Sequence, residues 1–145
     1  MISVEKYREA GLKLTPQRMA ILDYLKENRQ HPSAEEIFKY VSRKFPTMSF
    51  ATVYNTLEAL EQRGALMVLI IDPQRKRYDT VTNPHHHLFC TSCKKIMDIE
   101  RDYDLEIPEG ERLGFKIFGN RIEFFGLCPQ CRDDAPESVN MTAAM

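Results

Sequence analysis

All four cysteines of this chain stand in two CxxC pairs, Cys90-Thr91-Ser92-Cys93 and Cys128-Pro129-Gln130-Cys131, separated by 34 residues. Three of its four histidines, His85, His86 and His87, immediately precede the first pair in the run PHHHLFCTSC from Pro84 to Cys93. Two CxxC knuckles match a tetrahedral all-cysteine zinc site, in which each pair sits on a tight turn and two distant segments are stapled together. Such a site supplies folding free energy on the order of 10 kcal/mol, which matters to a domain of about 60 residues with little core of its own. Cys90, Cys93, Cys128 and Cys131 are therefore expected to hold a structural Zn(2+). A redox pair or disulfide is the weaker reading, because neither unit sits in the βαβ setting of a thioredoxin-like site.

The segment from Met1 to Lys6 lacks the apolar stretch of a secretory signal, and the longest purely apolar run, Leu66 to Ile71, is too short to span a bilayer. These features predict a soluble, cytoplasmic protein with no membrane partner. In a reducing compartment paired cysteines read first as metal ligands. At 145 residues and 43% hydrophobic content, the chain suits one domain or two small ones. Residues 1–82 carry 13 Lys and Arg against 10 Asp and Glu, whereas residues 83–145 carry 7 against 11. Opposite charge balances point to different jobs for the two halves.

The first half reads as three helices followed by a hairpin. Thr15 caps a helix with Pro16 at its first position, where the missing amide hydrogen costs nothing. Ile21, Leu22 and Leu25 then form an apolar stripe. Ser33 with Glu36 three residues on is a capping box, and Ala34, Ile37, Phe38 and Val41 follow at helical spacing up to a stop before Pro46. A third helix runs from about Ser49 to Arg63 and ends at Gly64. Val53, Leu57 and Leu60 line its inner face, so Ala51 and Asn55 point away with Thr52 and Tyr54 flanking them. Small and amide side chains near a helix start suit a DNA major groove. Strands Leu66 to Ile71 and Arg77 to Thr82, joined by Asp72-Pro73-Gln74-Arg75-Lys76, complete the order of a winged helix, with Arg75, Lys76 and Arg77 at the tip for phosphates.

Thr82-Asn83-Pro84 breaks the pattern and predicts a hinge. Beyond it, strands are expected at His85 to Phe89, Ile96 to Ile99, Phe115 to Phe118 and Ile122 to Phe125, the last two joined by a Gly119-Asn120 turn. Apolar side chains on both faces of the last strands point to a partner subunit. The fold class is thus α+β, a winged helix-turn-helix DNA-binding domain (1–82), a hinge (83–85) and a small α/β dimerisation domain with a four-cysteine zinc site (86–131). A tail, 132–145, lacks periodic apolar residues and is expected to be disordered.

Alternation along a strand separates the histidines from the zinc. His85 and His87 project to one face while His86, Leu88 and Cys90 project to the other, so the histidine pair and the thiolates do not share a metal. Asp79 and Asp98 can complete a nitrogen and oxygen site, which favours Fe(2+) or Mn(2+) over a thiolate-loving metal. Read singly, Asp79 and Asp98 are ordinary surface acids, His31 is an exposed loop residue, and His86 is open to solvent or braces its neighbours.

Several strings together carry a resemblance: LTPQR (Leu14 to Arg18), HPSAEEI (His31 to Ile37), SFATVYNTL (Ser49 to Leu57), HHHLFCTSCKKIMD (His85 to Asp98) and CPQC (Cys128 to Cys131). In this order the chain resembles the ferric uptake regulator family of bacterial metal-dependent repressors. The resemblance implies a homodimer on a palindromic double-stranded DNA operator, and a regulatory Fe(2+) or Mn(2+) bound by His31, Asp79, His85, His87 and Asp98. Asp98 stands where iron-sensing members usually carry Glu, and Asn55 where they usually carry Arg, which points to the peroxide-regulon branch. There, the resemblance implies, iron-catalysed oxidation of a ligand histidine, His31 or His85, releases metal and DNA. The rival within the family is an iron-responsive repressor; the remote one, a non-haem iron enzyme, leaves the wing cations and Asn55 unexplained. The Tyr103 to Gly114 segment is expected to be shorter and less helical than the family's usual connection.

Overall fold

The computed structural model describes residues 4–9 and 11–134. The backbone divides into two compact units, 1–82 and 83–145. In the first, four helices, α1 (Val4–Glu9), α2 (Pro16–Glu27), α3 (Ala34–Lys44) and α4 (Phe50–Gln62), precede the antiparallel pair β1 (Met67–Leu69) and β2 (Arg77–Asp79). Sequence patterning predicts three of these helices. The fourth, α1, escapes it because a six-residue helix shows no repeating apolar stripe, although its Tyr7 is fully buried in the core.

The caps explain the boundaries. The Thr15 and Ser49 hydroxyls each accept the amide of the third helical residue, at 3.2 Å. Ser33 and Glu36 close both halves of a capping box, at 3.3 and 2.8 Å. Two orphan donors are satisfied at once. At the far end of α4, Gly64 takes φ of 71° and its amide donates to the Glu61 carbonyl, while the Ala65 amide reaches back to Leu60. This is the Schellman pattern, which needs a residue free to adopt left-handed backbone. Ile21, Leu22, Leu25, Ile37, Val41, Val53, Leu57 and Leu60 are fully buried together. Each such side chain contributes about 1.5–3 kcal/mol by leaving water.

The hairpin is shorter than patterning predicts, because only Met67↔Asp79, Val68↔Tyr78 and Leu69↔Arg77 pair. A bridge from Ser33 to Arg77 and a 2.9 Å bond from the Tyr78 amide to the Pro32 carbonyl tie the start of α3 to β2. The turn ahead of α3 is thereby fastened to the wing.

In the second unit β3 (His86–Cys90) lies between β4 (Ile96–Ile99), antiparallel to it, and β5 (Glu123–Gly126), parallel to it. Register places Leu88, Met97 and Phe124 side by side on one face, where all three are exposed. Phe89 and Ile96 on the other face are buried. The strand expected over Phe115–Phe118, and with it the Gly119-Asn120 hairpin, does not form. That stretch makes no ladder hydrogen bonds within the described residues, and Phe115 and Phe118 stand exposed. Tyr103 to Gly114 holds only a 3-10 turn at Glu109–Glu111.

Beyond the second CxxC the chain forms α5 (Pro129–Asp134). The expected disorder of the tail is therefore corrected for Arg132 to Asp134, where the Arg132 amide bonds the Cys128 carbonyl at 2.8 Å and continues the knuckle as a helix. Residues 135–145, the rest of that expectation, lie outside the described residues. No helix among the described residues is long and apolar enough to cross a membrane.

Candidate functional site

Because β5 runs parallel to β3, with Cys90 opposite Gly126, both strands deliver their CxxC pairs to the same end of the sheet. After Cys90 the chain reverses through Lys94 at φ of 66°, and the Cys90 amide bonds the Lys95 carbonyl at 2.9 Å. The four sulfur atoms lie within 4.8 Å of one another and all four cysteines are free. Cys93 and Cys128 Sγ are 3.8 Å apart, far beyond a disulfide bond. Zinc–sulfur bonds of about 2.3 Å in a tetrahedron require sulfurs about 3.8 Å apart. The cluster thus fits a structural zinc.

Its electrostatics agree. Burial works to raise the Cys90 thiol, but amide hydrogens from Cys128, Cys93 and Ser92 point at its sulfur and bring it down to about 6, so the thiolate stands ready at neutral pH. Cys131 moves the other way. The Ser92 hydroxyl lowers it, but the neighbouring thiols of Cys128, Cys93 and Cys90, aided by burial, push it up to about 12. A ready thiolate at Cys90 beside a Cys131 thiol that its neighbours hold in the protonated form is a contrast that a bound dication would relieve.

The nitrogen and oxygen donors form one group in each unit. In the first, His31 Nε2 stands 3.2 Å from Asp79 Oδ2, and both residues are buried, so the plainer alternatives, an exposed loop histidine and a surface acid, do not hold. Asp79 is fixed by its place on β2 and by the Val81 amide at 2.9 Å from Oδ1. His31 has φ of 55°, a left-handed conformation that non-glycine residues adopt at a cost of about 1–2 kcal/mol. Strain of this kind persists where surroundings enforce it.

In the second unit His85 Nε2 and His87 Nε2 each lie 3.2 Å from the same oxygen, Asp98 Oδ1, with ring centroids 4.4 Å apart. Strand register sets this up, since His87 pairs directly with Asp98. His85 Nδ1 is 2.7 Å from the Asn83 carbonyl, which only accepts, so Nδ1 carries the hydrogen. In neutral His85 the lone pair on Nε2 then faces a carboxylate oxygen. Two acceptors brought face to face call for a cation between them, or a proton on His85.

Of the two readings of His86, open to solvent or bracing its neighbours, the structure favours the second. His86 is buried, accepts the Ile122 amide on Nδ1 at 2.9 Å and meets the Tyr103 ring edge-on at 5.1 Å. It joins β3 to the approach of β5. Alternation alone cannot reveal this, because the covering residues come from distant sequence.

On α4, Ala51, Tyr54 and Asn55 are exposed and Thr52 half-buried, its hydroxyl 3.0 Å from that of Ser49. Arg75 and Lys76 are exposed at the wing tip, but Arg77 is not with them. It is buried, 3.3 Å from Asp72 Oδ2, and it donates through Nε to the His31 carbonyl. The acid five residues earlier is the signal that distinguishes Arg77 from its two neighbours.

The ferric uptake regulator family model matches residues 9–125. The peroxide operon regulator of Bacillus subtilis (strain 168) is 39% identical over 134 residues, 89% of this chain and 90% of its own length. The peroxide-responsive repressor PerR of Staphylococcus aureus (strain Mu50) is 37% identical over 136 residues, 90% of each chain. Among solved structures, the Helicobacter pylori ferric uptake regulator Fur, described as having three functional metal binding sites, superposes with a TM-score of 0.68 at 26% identity, covering 92% of this chain and 90% of that one. The chain belongs to the ferric uptake regulator family, and is by that membership a metal-dependent, DNA-binding, dimeric transcriptional repressor rather than an enzyme.

Proposed function

We propose that this repressor holds a regulatory Fe(2+) or Mn(2+) on His31, Asp79, His85, His87 and Asp98, senses hydrogen peroxide when that ion is Fe(2+), and leaves a palindromic operator when His31 or His85 is oxidised. The observation that carries the metal assignment is the pairing of His85 Nε2, its lone pair set by the bond to Asn83, with Asp98 Oδ1. Three imidazoles and two carboxylates suit these borderline-to-hard dications. The sensing role is supported by the 39% and 37% identical relatives named for peroxide, and by Asp98 and Asn55.

The domains follow from the same assignment: a DNA-binding unit (1–82), a hinge (83–85) and a dimerisation unit (86–131). His31 and Asp79 belong to the first, His85 to the hinge, and His87 and Asp98 to the last. An ion that all five bind selects the arrangement of the units in which they meet, in proportion to its preference for that arrangement. A bound Fe(2+) would supply the oxidising chemistry, by which one peroxide oxygen is added to an imidazole ring carbon and the other is lost as water. The protein's part is to hold the imidazoles in place beforehand, His31 by its enforced backbone and His85 through Asn83. An oxidised ring no longer offers the same donor, so the selected arrangement is lost. Ala51, Thr52, Tyr54 and Asn55 read base edges, Arg75 and Lys76 grip phosphates, and two-fold symmetry of the dimer matches the operator palindrome.

The test is DNA binding by the anaerobic protein, loaded with Fe(II) or Mn(II), to duplexes selected from a random pool. After peroxide, the iron form loses binding and gains one oxygen on the peptide bearing His31 or His85, while the manganese form keeps both its binding and its mass. Equal indifference of the two forms removes peroxide as the signal. Binding that requires iron yet ignores peroxide favours the iron-responsive alternative.

A further inference from the structure

The wing carries a buried charge pair whose purpose the ligand set does not explain. Arg77 and Asp72 are 8% and 3% exposed, and Asp72 Oδ2 meets Arg77 Nη1 at 3.3 Å. The other oxygen of Asp72 accepts the Gln74 amide at 2.9 Å and closes the wing turn. With its carboxylate partner fixed, Arg77 directs Nε to the carbonyl of His31. Taking a guanidinium and a carboxylate out of water costs several kcal/mol per ion. A cation meant for phosphate would stay in solvent, as Arg75 and Lys76 do.

His31 needs such a hold. Its φ of 55° lies in the left-handed region, and the following Pro32 disfavours the right-handed helical one. Extended backbone is the less strained alternative. A change to it turns the His31 carbonyl away from Arg77 and carries the imidazole away from Asp79. The Pro32 carbonyl, held by the Tyr78 amide at 2.9 Å, and the Ser33–Arg77 bridge fix the residues that follow, so Arg77 completes the grip on the turn.

We propose that Arg77, oriented by Asp72, is a positioning residue for metal binding: it holds His31 in the left-handed conformation that keeps Nε2 facing Asp79. The assignment rests on His31 being a metal ligand. Groups that orient ligands from one step behind typically change metal affinity 10- to 100-fold when removed. The same pair roots the turn bearing Arg75 and Lys76, so the ligand and the wing share one anchor.

Mn(II) titration of the full-length, zinc-loaded protein, with free Mn(II) read by electron paramagnetic resonance, tests this. Arg77→Gln is expected to bind about 10- to 100-fold more weakly with zinc content unchanged. Asp72→Asn keeps an oxygen for the Gln74 amide and loses the charge; it shows a smaller fall in the same direction, and carries the test if Arg77→Gln does not fold. In a His31→Ala background, Arg77→Gln causes no further loss, because Arg77 acts through His31. An equal further loss in that background, or unchanged affinity in both Arg77→Gln and Asp72→Asn, overturns the proposal. A His31→Ala chain that binds Mn(II) as tightly as the parent overturns the ligand assignment, and this one with it.

Discussion

The two units of this chain are held together by different means. In residues 1–82 the apolar stripes of α2, α3 and α4 close on one another, and eight of their aliphatic side chains have no exposed surface. In residues 83–134 Phe89, Cys90 and Ile96 are the buried hydrophobic residues, while Leu105, Leu113, Phe115 and Phe118 are 62%, 83%, 73% and 89% exposed. Side chains that provide a core in the first unit stand idle in the second. A short sheet without a packed helix has little apolar burial to offset its chain entropy, which fits the proposal that zinc on the thiolate cluster and a partner subunit supply the rest. Packing suits the unit proposed to present a rigid helix to DNA, and external support suits the unit proposed to dimerise.

Removing zinc is the strongest way to break that contrast. Cys93→Ala, or a chelator, withdraws on the order of 10 kcal/mol from the second unit. Hydrogen exchange read by mass spectrometry is expected to show β3, β4 and β5 losing protection while α2 to α4 keep theirs. Simultaneous loss in both units would contradict independent support. The converse change, Leu57→Ala at a fully buried position, costs the first unit about 2–5 kcal/mol. Thermal or urea unfolding measures it, and zinc content stays constant. The smallest effect on chain stability, within about 0.5 kcal/mol, belongs to Phe118→Ser. It sharpens the comparison, because sedimentation of the same variant is expected to show a dimer weakened about tenfold or more if Phe118 meets the partner. A dimer of unchanged strength would return Phe118 to the ordinary exposed surface.

The same contrast decides what could be read in advance. Thr15, Ser33, Ser49 and Gly64 mark α2, α3 and α4 because caps are local chemistry, satisfied by residues three or four positions away. The zinc cluster was legible for a related reason: CxxC spacing is local, and parallel β3 and β5 bring the two pairs to one end of the sheet. His87 and Asp98 lie opposite each other in the ladder, a register that alternation within one strand leaves open. What stayed hidden depends on contacts across long sequence gaps. Phe115 to Phe118 has the composition of a strand but pairs with no strand among the described residues. His86 is buried by Tyr103 and bonded to the Ile122 amide, and Arg77 is drawn inward by Asp72 and a carbonyl 46 residues earlier. Residue type and period carry none of that information.

In the proposed assignment one ion joins two units of unlike construction, taking His31 and Asp79 from the first and His85, His87 and Asp98 from the second. Mn(II) stoichiometry in the zinc-loaded protein tests it most directly, measured for the parent chain and for His31→Ala and His87→Ala separately. One tightly bound Mn(II) per parent chain is expected, lost in both variants. Two ions per chain, with each variant keeping the one held by the other unit, would contradict it.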